Sequence, residues 1–165
     1  MQIHSETVTS KIDGVLHKIT TIKDRDGQIL KQKIDKIKAD LTIQDVMQIL
    51  VGASILAIPS ALTEEVWDMG KSVPWINILA MLFIEYLIIG MFIYFKSYSE
   101  NIKTYRVAFV KRILVIMLFS GLIIGLFLAL VGQLPLFDDT GVAVKRIIIG
   151  MLPASMSATV MDSLK

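Results

Sequence analysis

Four apolar segments, each about long enough to cross a bilayer, leave few folds open to this chain. A helix needs about 20 mainly apolar residues to span a hydrocarbon core of roughly 30 Å. In lipid, only a helix or a closed barrel satisfies its own backbone donors and acceptors. The segments run from about Val46 to Leu62, Val73 to Phe95, Ile113 to Leu136 and Val142 to Met161. The fold they predict is an all-α membrane protein, a four-transmembrane-helix bundle over residues 42–165. Ahead of it stands a polar head over 1–41, which holds eight of the seventeen Lys and Arg. Thr42 is a plausible N-cap for the first span, with Asp45 three residues later in a capping-box arrangement. The fourth segment is the weakest, since Pro153 and several Ser and Thr dilute it; a re-entrant or interfacial segment is the alternative. Pro59 and Pro153 are expected to bend their helices without ending them, because neighbouring groups can satisfy the freed carbonyls.

Basic residues set an expected orientation. Fourteen of the seventeen Lys and Arg fall in the head, in the second loop (Lys96, Lys103, Arg106, Lys111, Arg112) or at Lys165. Lys71, Lys145 and Arg146 are the other three. An excess of Lys and Arg marks the cytoplasmic side. The expectation is therefore a multi-pass protein of the cell membrane with both termini cytoplasmic. Trp67, Trp75 and Tyr94 fall near predicted span ends, where amphipathic rings favour the interface.

In the head, the runs Val15–Asp24 and Ile29–Ile37, rich in β-branched residues, are separated by Arg25-Asp26-Gly27-Gln28. That is a strong short-range hairpin signal. Ile12, Leu16, Ile19 and Ile22, followed by Leu30, Ile34, Ile37 and Leu41, also fit helical spacing. The hairpin is the favoured reading. Asp24 and Asp26 beside Gly27 lack the rest of an EF-hand ligand pattern and read as turn chemistry. A lone hairpin is marginal in water, so the head is expected to dock on a neighbour or on anionic headgroups.

Three spans carry small residues at four-residue spacing: Ala53, Ala57 and Ala61; Gly121, Gly125 and Ala129; Gly150, Ala154 and Ala158. Such ladders let helix backbones approach closely in lipid. Packing within the chain is the plainer reading, and an interface in a homo-oligomer is the sharper one. The first and fourth spans also share a proline–valine–aspartate pattern, Pro59 to Asp68 against Pro153 to Asp162. Inverted repeats of that kind occur in transporters.

Glu85 is the most informative single residue. It lies midway between Trp75 and Tyr94, near the expected bilayer centre. An acidic residue there costs about 2.5–3.5 kcal/mol on insertion scales. Two readings compete: a structural acid hydrogen-bonded to Gln48, Ser54 or Ser120, or a proton- or cation-binding group on a pathway. Glu64, Glu65 and Asp68 follow the first span as either a solvated helix end or a cation-attracting mouth. Asp162 would be the matching acid at the inner end.

The chain has no cysteine, and its two histidines, His4 and His17, lie in the head. Thiolate chemistry and a histidine-based site within the spans are excluded. No cofactor is expected, and whether a metal binds is left open, since Glu64, Glu65 and Asp68 are the right chemistry for a divalent ion. Nucleic acid is not an expected partner, because the head has mixed charge and no aromatic residue to stack bases.

Three stretches carry a family resemblance: Asp45 to Ala53 (DVMQILVGA), Ala61 to Trp67 (ALTEEVW) and Leu152 to Val160 (LPASMSATV). They resemble a family of microbial integral membrane proteins of unknown function, over most of the chain. The resemblance implies a membrane protein with a short polar N-terminal segment, and it supplies no catalytic or binding residues. The leading expectation for function is passage of a small cation or proton, by an oligomer because four helices enclose little space. A structural or regulatory membrane subunit that binds a partner or lipid is the alternative. An intramembrane enzyme ranks last, for want of a nucleophile–base pair.

Overall fold

The computed structural model of the chain describes residues 4–12, 15–23, 28–36, 41–98 and 102–164. The chain divides into two units, Met1–Asp40 and Leu41–Lys165.

The first unit is a three-stranded antiparallel sheet, β1 (His4–Ile12), β2 (Val15–Lys23) and β3 (Ile29–Lys36), in the order β1-β2-β3. The β2–β3 pair is the predicted hairpin; its Asp26-Gly27 turn lies outside the described residues, as do Asp24 and Ile37. The helical reading is overturned, and β1 is an addition to the predicted pair. The overlooked signal was a second Asp-Gly, Asp13-Gly14, which stands between the paired residues Ile12 and Val15. Register brings Val8, Ile19 and Ile34 into one row across the three strands. Branched residues in such rows are what a half-covered pleated surface favours.

The second unit contains α1 (Ile43–Ala61), α2 (Glu64–Ser72), α3 (Trp75–Ile93), α4 (Ile102–Leu130) and α5 (Thr140–Asp162). A π-helical turn, Tyr94–Tyr98, continues α3. Four segments are long and apolar enough to cross a membrane: Ile43–Ala61, Trp75–Lys96, Arg106–Leu130 and Thr140–Asp162. The fourth is one continuous helix through Pro153, so the re-entrant alternative falls.

The helix ends follow from their sequences. Thr42 caps α1: its hydroxyl accepts from the Asp45 amide at 3.3 Å, while Asp45 accepts from the Thr42 amide at 2.9 Å. The two orphan donors are satisfied reciprocally. At the other end of α4, the predicted span to Leu136 is too long. Gly132 adopts a φ of 70°, and the Gly132 and Gln133 amides donate back to Ala129 and Leu128. This pair of backbone bonds is a Schellman cap, which glycine permits because it has no Cβ penalty in the left-handed region. The helix therefore stops at Leu130 and gains its length at the start, drawing Arg106, Lys111 and Arg112 into it.

Three helices bury a strict four-residue stripe. In α1 it is Asp45, Ile49, Ala53, Ala57 and Ala61; in α4, Arg112, Ile116, Ser120, Ile124 and Leu128; in α5, Arg146, Gly150, Ala154, Ala158 and Asp162. These are i±4n ridges, and small residues along them bring the backbones close. A Cβ on Gly52 would lie 2.6 Å from Met161 Cβ, and one on Gly150 would lie 2.6 Å from Ile124 Cγ1. Gly121 and Gly125 face Met151 and Ile147, whereas Ala129 is exposed. Apart from Ala129, then, the small-residue ladders pack inside the chain. On the opposite side of α4, Leu114, Leu118, Leu122, Leu126 and Leu130 are all more than half exposed. A continuous leucine ridge of that kind would be an aggregation hazard in water and is the natural surface in lipid.

Candidate functional site

The bundle has two ends. One is where α1 begins and α5 finishes, near Thr42 and Asp162; the other is where α2 and the α4–α5 connection lie. Glu85 sits between them, about ten residues from either limit of the span Trp75–Lys96.

The packed face of α3 reads Ile78, Glu85, Ile89 and Ile93. Glu85 is thus carried on the helix's own apolar stripe and is wholly buried. Its partner is none of the three residues the sequence suggested. Ser155 of α5 lies with its hydroxyl 2.5 Å from Glu85 Oε1. Glu85 Oε2 has no hydrogen-bond partner among the described residues. Gln48 Oε1 and Ser120 Oγ are likewise buried without a hydrogen bond, and Ser54 donates to Leu50 of its own helix. The Ser155 hydroxyl is also 3.0 Å from the Leu152 carbonyl. A hydroxyl has one hydrogen and two acceptor sites. Ser155 can share its one hydrogen between Glu85 and the Leu152 carbonyl, or a protonated Glu85 can donate to Ser155 Oγ and leave Ser155 to donate to Leu152.

At the Thr42 end, Arg112 is 2% exposed and forms a bidentate pair with Asp162, at 2.8 Å from Nε and 2.7 Å from Nη2. Asp45 adds a second carboxylate 3.7 Å from Nη2. Asp45 is in turn held by the Thr42 cap, where Oδ2 accepts from the hydroxyl at 2.8 Å. One guanidinium therefore ties α1, α4 and α5 together. Fork-on-fork pairing of this type is the strong form of ion pair. It also corrects the expectation for Asp162: the residue is committed to Arg112 and is not poised to receive a cation. Beside it, Tyr98 of the π turn is buried and packs edge-on against Phe109, with ring centroids 5.5 Å apart.

At the far end Arg146 is 4% exposed and meets neutral oxygens. Its Nε donates to the Trp67 carbonyl at 3.1 Å, and its Nη1 to the Gln133 carbonyl and side chain at 2.5 and 3.2 Å. The Schellman cap of α4 presents Gln133 for this purpose. Gly70 of α2 packs so tightly on the Arg146 stem that a Cβ there would clash. Trp67 Nε1 closes the corner by donating to the Ala61 carbonyl at 2.9 Å.

Arg112 counts as a loop charge in the sequence, and Arg146 stands at the start of the fourth segment. Both sit on the four-residue stripes, which continue past the small residues into them, and that extension was the available signal. Glu64, Glu65 and Asp68 lie on α2 and are exposed; Asp68 approaches Lys71 at 4.0 Å. They are not brought to Glu85, and among the described residues no group of three or more His, Asp or Glu is placed to hold a metal ion. The proline-led pattern shared by the first and fourth spans has no common structure. Pro59 to Asp68 crosses from α1 into α2, whereas Pro153 to Asp162 is unbroken helix.

The comparison with curated proteins and that with solved structures gave no match. A family model, described as putative integral membrane protein (DUF2391), matches residues 16–164. Match and architecture agree with the resemblance carried by the three sequence stretches, and the chain belongs to this family of integral membrane proteins.

Proposed function

We propose that this membrane protein binds and releases a proton at Glu85 and thereby passes protons, or a small cation coupled to them, across the bilayer. The observation that carries the reading is a wholly buried mid-span carboxyl with one oxygen on Ser155 and the other without a hydrogen-bond partner among the described residues. A carboxyl kept only for structure would be expected to satisfy both oxygens, because an unsatisfied buried polar atom costs about 1–3 kcal/mol. Ionisable groups inside membranes mark proton and ion paths by default. Glu64, Glu65 and Asp68 contribute negative potential at the surface of α2 and are not ligands on a path to Glu85.

Flux of protons and common cations into liposomes containing the full chain tests the proposal. Glu85→Gln should abolish flux with folding intact, whereas Asp68→Asn should leave it. Absence of flux in the natural sequence, or flux untouched by Glu85→Gln, refutes it. The basic-residue distribution further supports cytoplasmic placement of both termini in the cell membrane. Since the chain has no cysteine, single cysteines at Ser5 and Ser163 should resist an impermeant thiol reagent in intact cells, and one at Ser72 should react. The reverse pattern would invert the topology.

A further inference from the structure

Glu85 separates two unlike halves of the bundle. Toward the Thr42 end, α5 carries Ser155, Thr159 and Asp162, all buried, at i, i+4 and i+7. That spacing places them on one face of the helix. The Thr159 hydroxyl donates to the Ser155 carbonyl at 2.6 Å, and Asp162 reaches Arg112. α1 contributes Asp45, and one turn on Gln48, whose buried Oε1 has no hydrogen-bond partner among the described residues. An apolar cluster that includes Ile49, Ile89, Ile93, Ile116 and Ala158, the residue before Thr159, lies in this half.

Toward the far end no such face exists. Between Arg146 and Ser155, α5 reads Ile147 to Ala154 without a polar side chain, and α3 from Ile78 to Ile84 is equally apolar. Ala57, Ala61, Ile124, Leu128, Met151 and Ala154 close the interior. A close-packed apolar layer has no room for water and no groups to hold it.

We infer that in this arrangement of the helices Glu85 exchanges its proton with the compartment at the Thr42 end, along the polar face of α5, so that this is a state open to one side and passage across the bilayer needs a second arrangement in which the apolar layer parts. The inference rests on the reading of Glu85 as a proton-binding group. In the transfer, the O–H bond of the Glu85 carboxyl breaks, water entering along Ser155 and Thr159 takes the proton, and a carboxylate remains. Among the described residues no charged group from α1, α4 or α5 is in ion-pair contact with Glu85. The charged groups on the path are Asp162, Arg112 and Asp45, and they are paired with one another.

The test is infrared spectroscopy on liposomes containing the full chain, sorted by capture on a tag fused after Lys165 so that the Thr42 end faces outward. The carboxyl band assigned to Glu85 is the one that Glu85→Gln removes. A pH step outside should change that band promptly, while a step confined to the lumen should change it only more slowly, at the rate of turnover. Thr159→Val should slow the response by about tenfold, an added barrier of about 1.4 kcal/mol. Thr159→Ser, which keeps the hydroxyl, should restore it at unchanged thermal stability. A band that follows luminal pH as promptly as outer pH, or one indifferent to Thr159→Val, overturns the inference. A band that follows the outer pH in a protein without flux would leave one-sided exchange standing and remove transport. Flux with a band that follows the lumen as promptly as the outside would do the opposite.

Discussion

The two ends of the bundle bury an arginine each and stabilise it by opposite means. Arg112 meets full charges, Asp162 in bidentate contact and Asp45 at 3.7 Å. Arg146 meets the dipoles of Trp67 and Gln133. The first arrangement binds three spans to one another. The second clamps the short helix α2 and the α4 cap onto α5. A charge paired with charge is sensitive to the loss of either partner, because the survivor is stranded in low dielectric. A charge paired with carbonyls leaves behind only neutral groups when it is removed, and a half-buried amide such as Gln133 can turn to water.

Four variants can break or sharpen that contrast. Asp162→Ala should have the largest effect, a loss of roughly 3–5 kcal/mol in stability, because it leaves buried Arg112 with only the more distant carboxylate of Asp45. Replacing both partners, Arg112→Met with Asp162→Leu, should recover part of the loss, since Asp45 then keeps its Thr42 cap but loses the guanidinium. Thermal or denaturant unfolding in detergent micelles measures both; a double variant no better than the single one would mean that the pair does more than neutralise itself. Arg146→Met should cost less, about 1–3 kcal/mol, since it frees carbonyl oxygens and no charge. Its signature should be local, with faster protease cleavage near α2 than in the spans. If Arg146→Met unfolds the bundle as readily as Asp162→Ala, the contrast between the two ends fails. Asp68→Ala should be the smallest, about 1 kcal/mol or less, because its contact with Lys71 is exposed and long. A shift comparable to that of Arg146→Met would mean that α2 is held by its acids and not by its tryptophan and arginine.

The small-residue ladders illustrate how far sequence periodicity reached. Ala53, Ala57 and Ala61, with Gly150, Ala154 and Ala158, were legible as close-packing positions from spacing alone, and they are buried. The same spacing continued into Asp45, Arg112, Arg146 and Asp162, but charge at those positions read as surface. Periodicity reports which face is packed; it does not say that a charged residue on that face has found a partner on another helix. Gly52 escaped attention for a related reason. It lies off the alanine stripe, and only the approach of Ala158 and Met161 makes its missing Cβ necessary.

The amino-acid sequence by itself determined that this chain spans membranes with four helices, that Thr42 starts the first, that Asp26-Gly27 stands between two strands and that Glu85 lies mid-span. Each of these follows from local chemistry: apolar length, a capping side chain, a turn dipeptide, position along a rise of about 1.5 Å per residue. Tertiary structure alone decided that Glu85 meets Ser155, seventy residues away, and that Arg112 meets Asp162, fifty residues away. Those pairings depend on which helices lie side by side and at what depth, and for α4 against α5 the close approach of Gly150 to Ile124 helps to fix that depth. No single segment carries that information, because a helix fixes its own face and length but not the register of the helix it packs against.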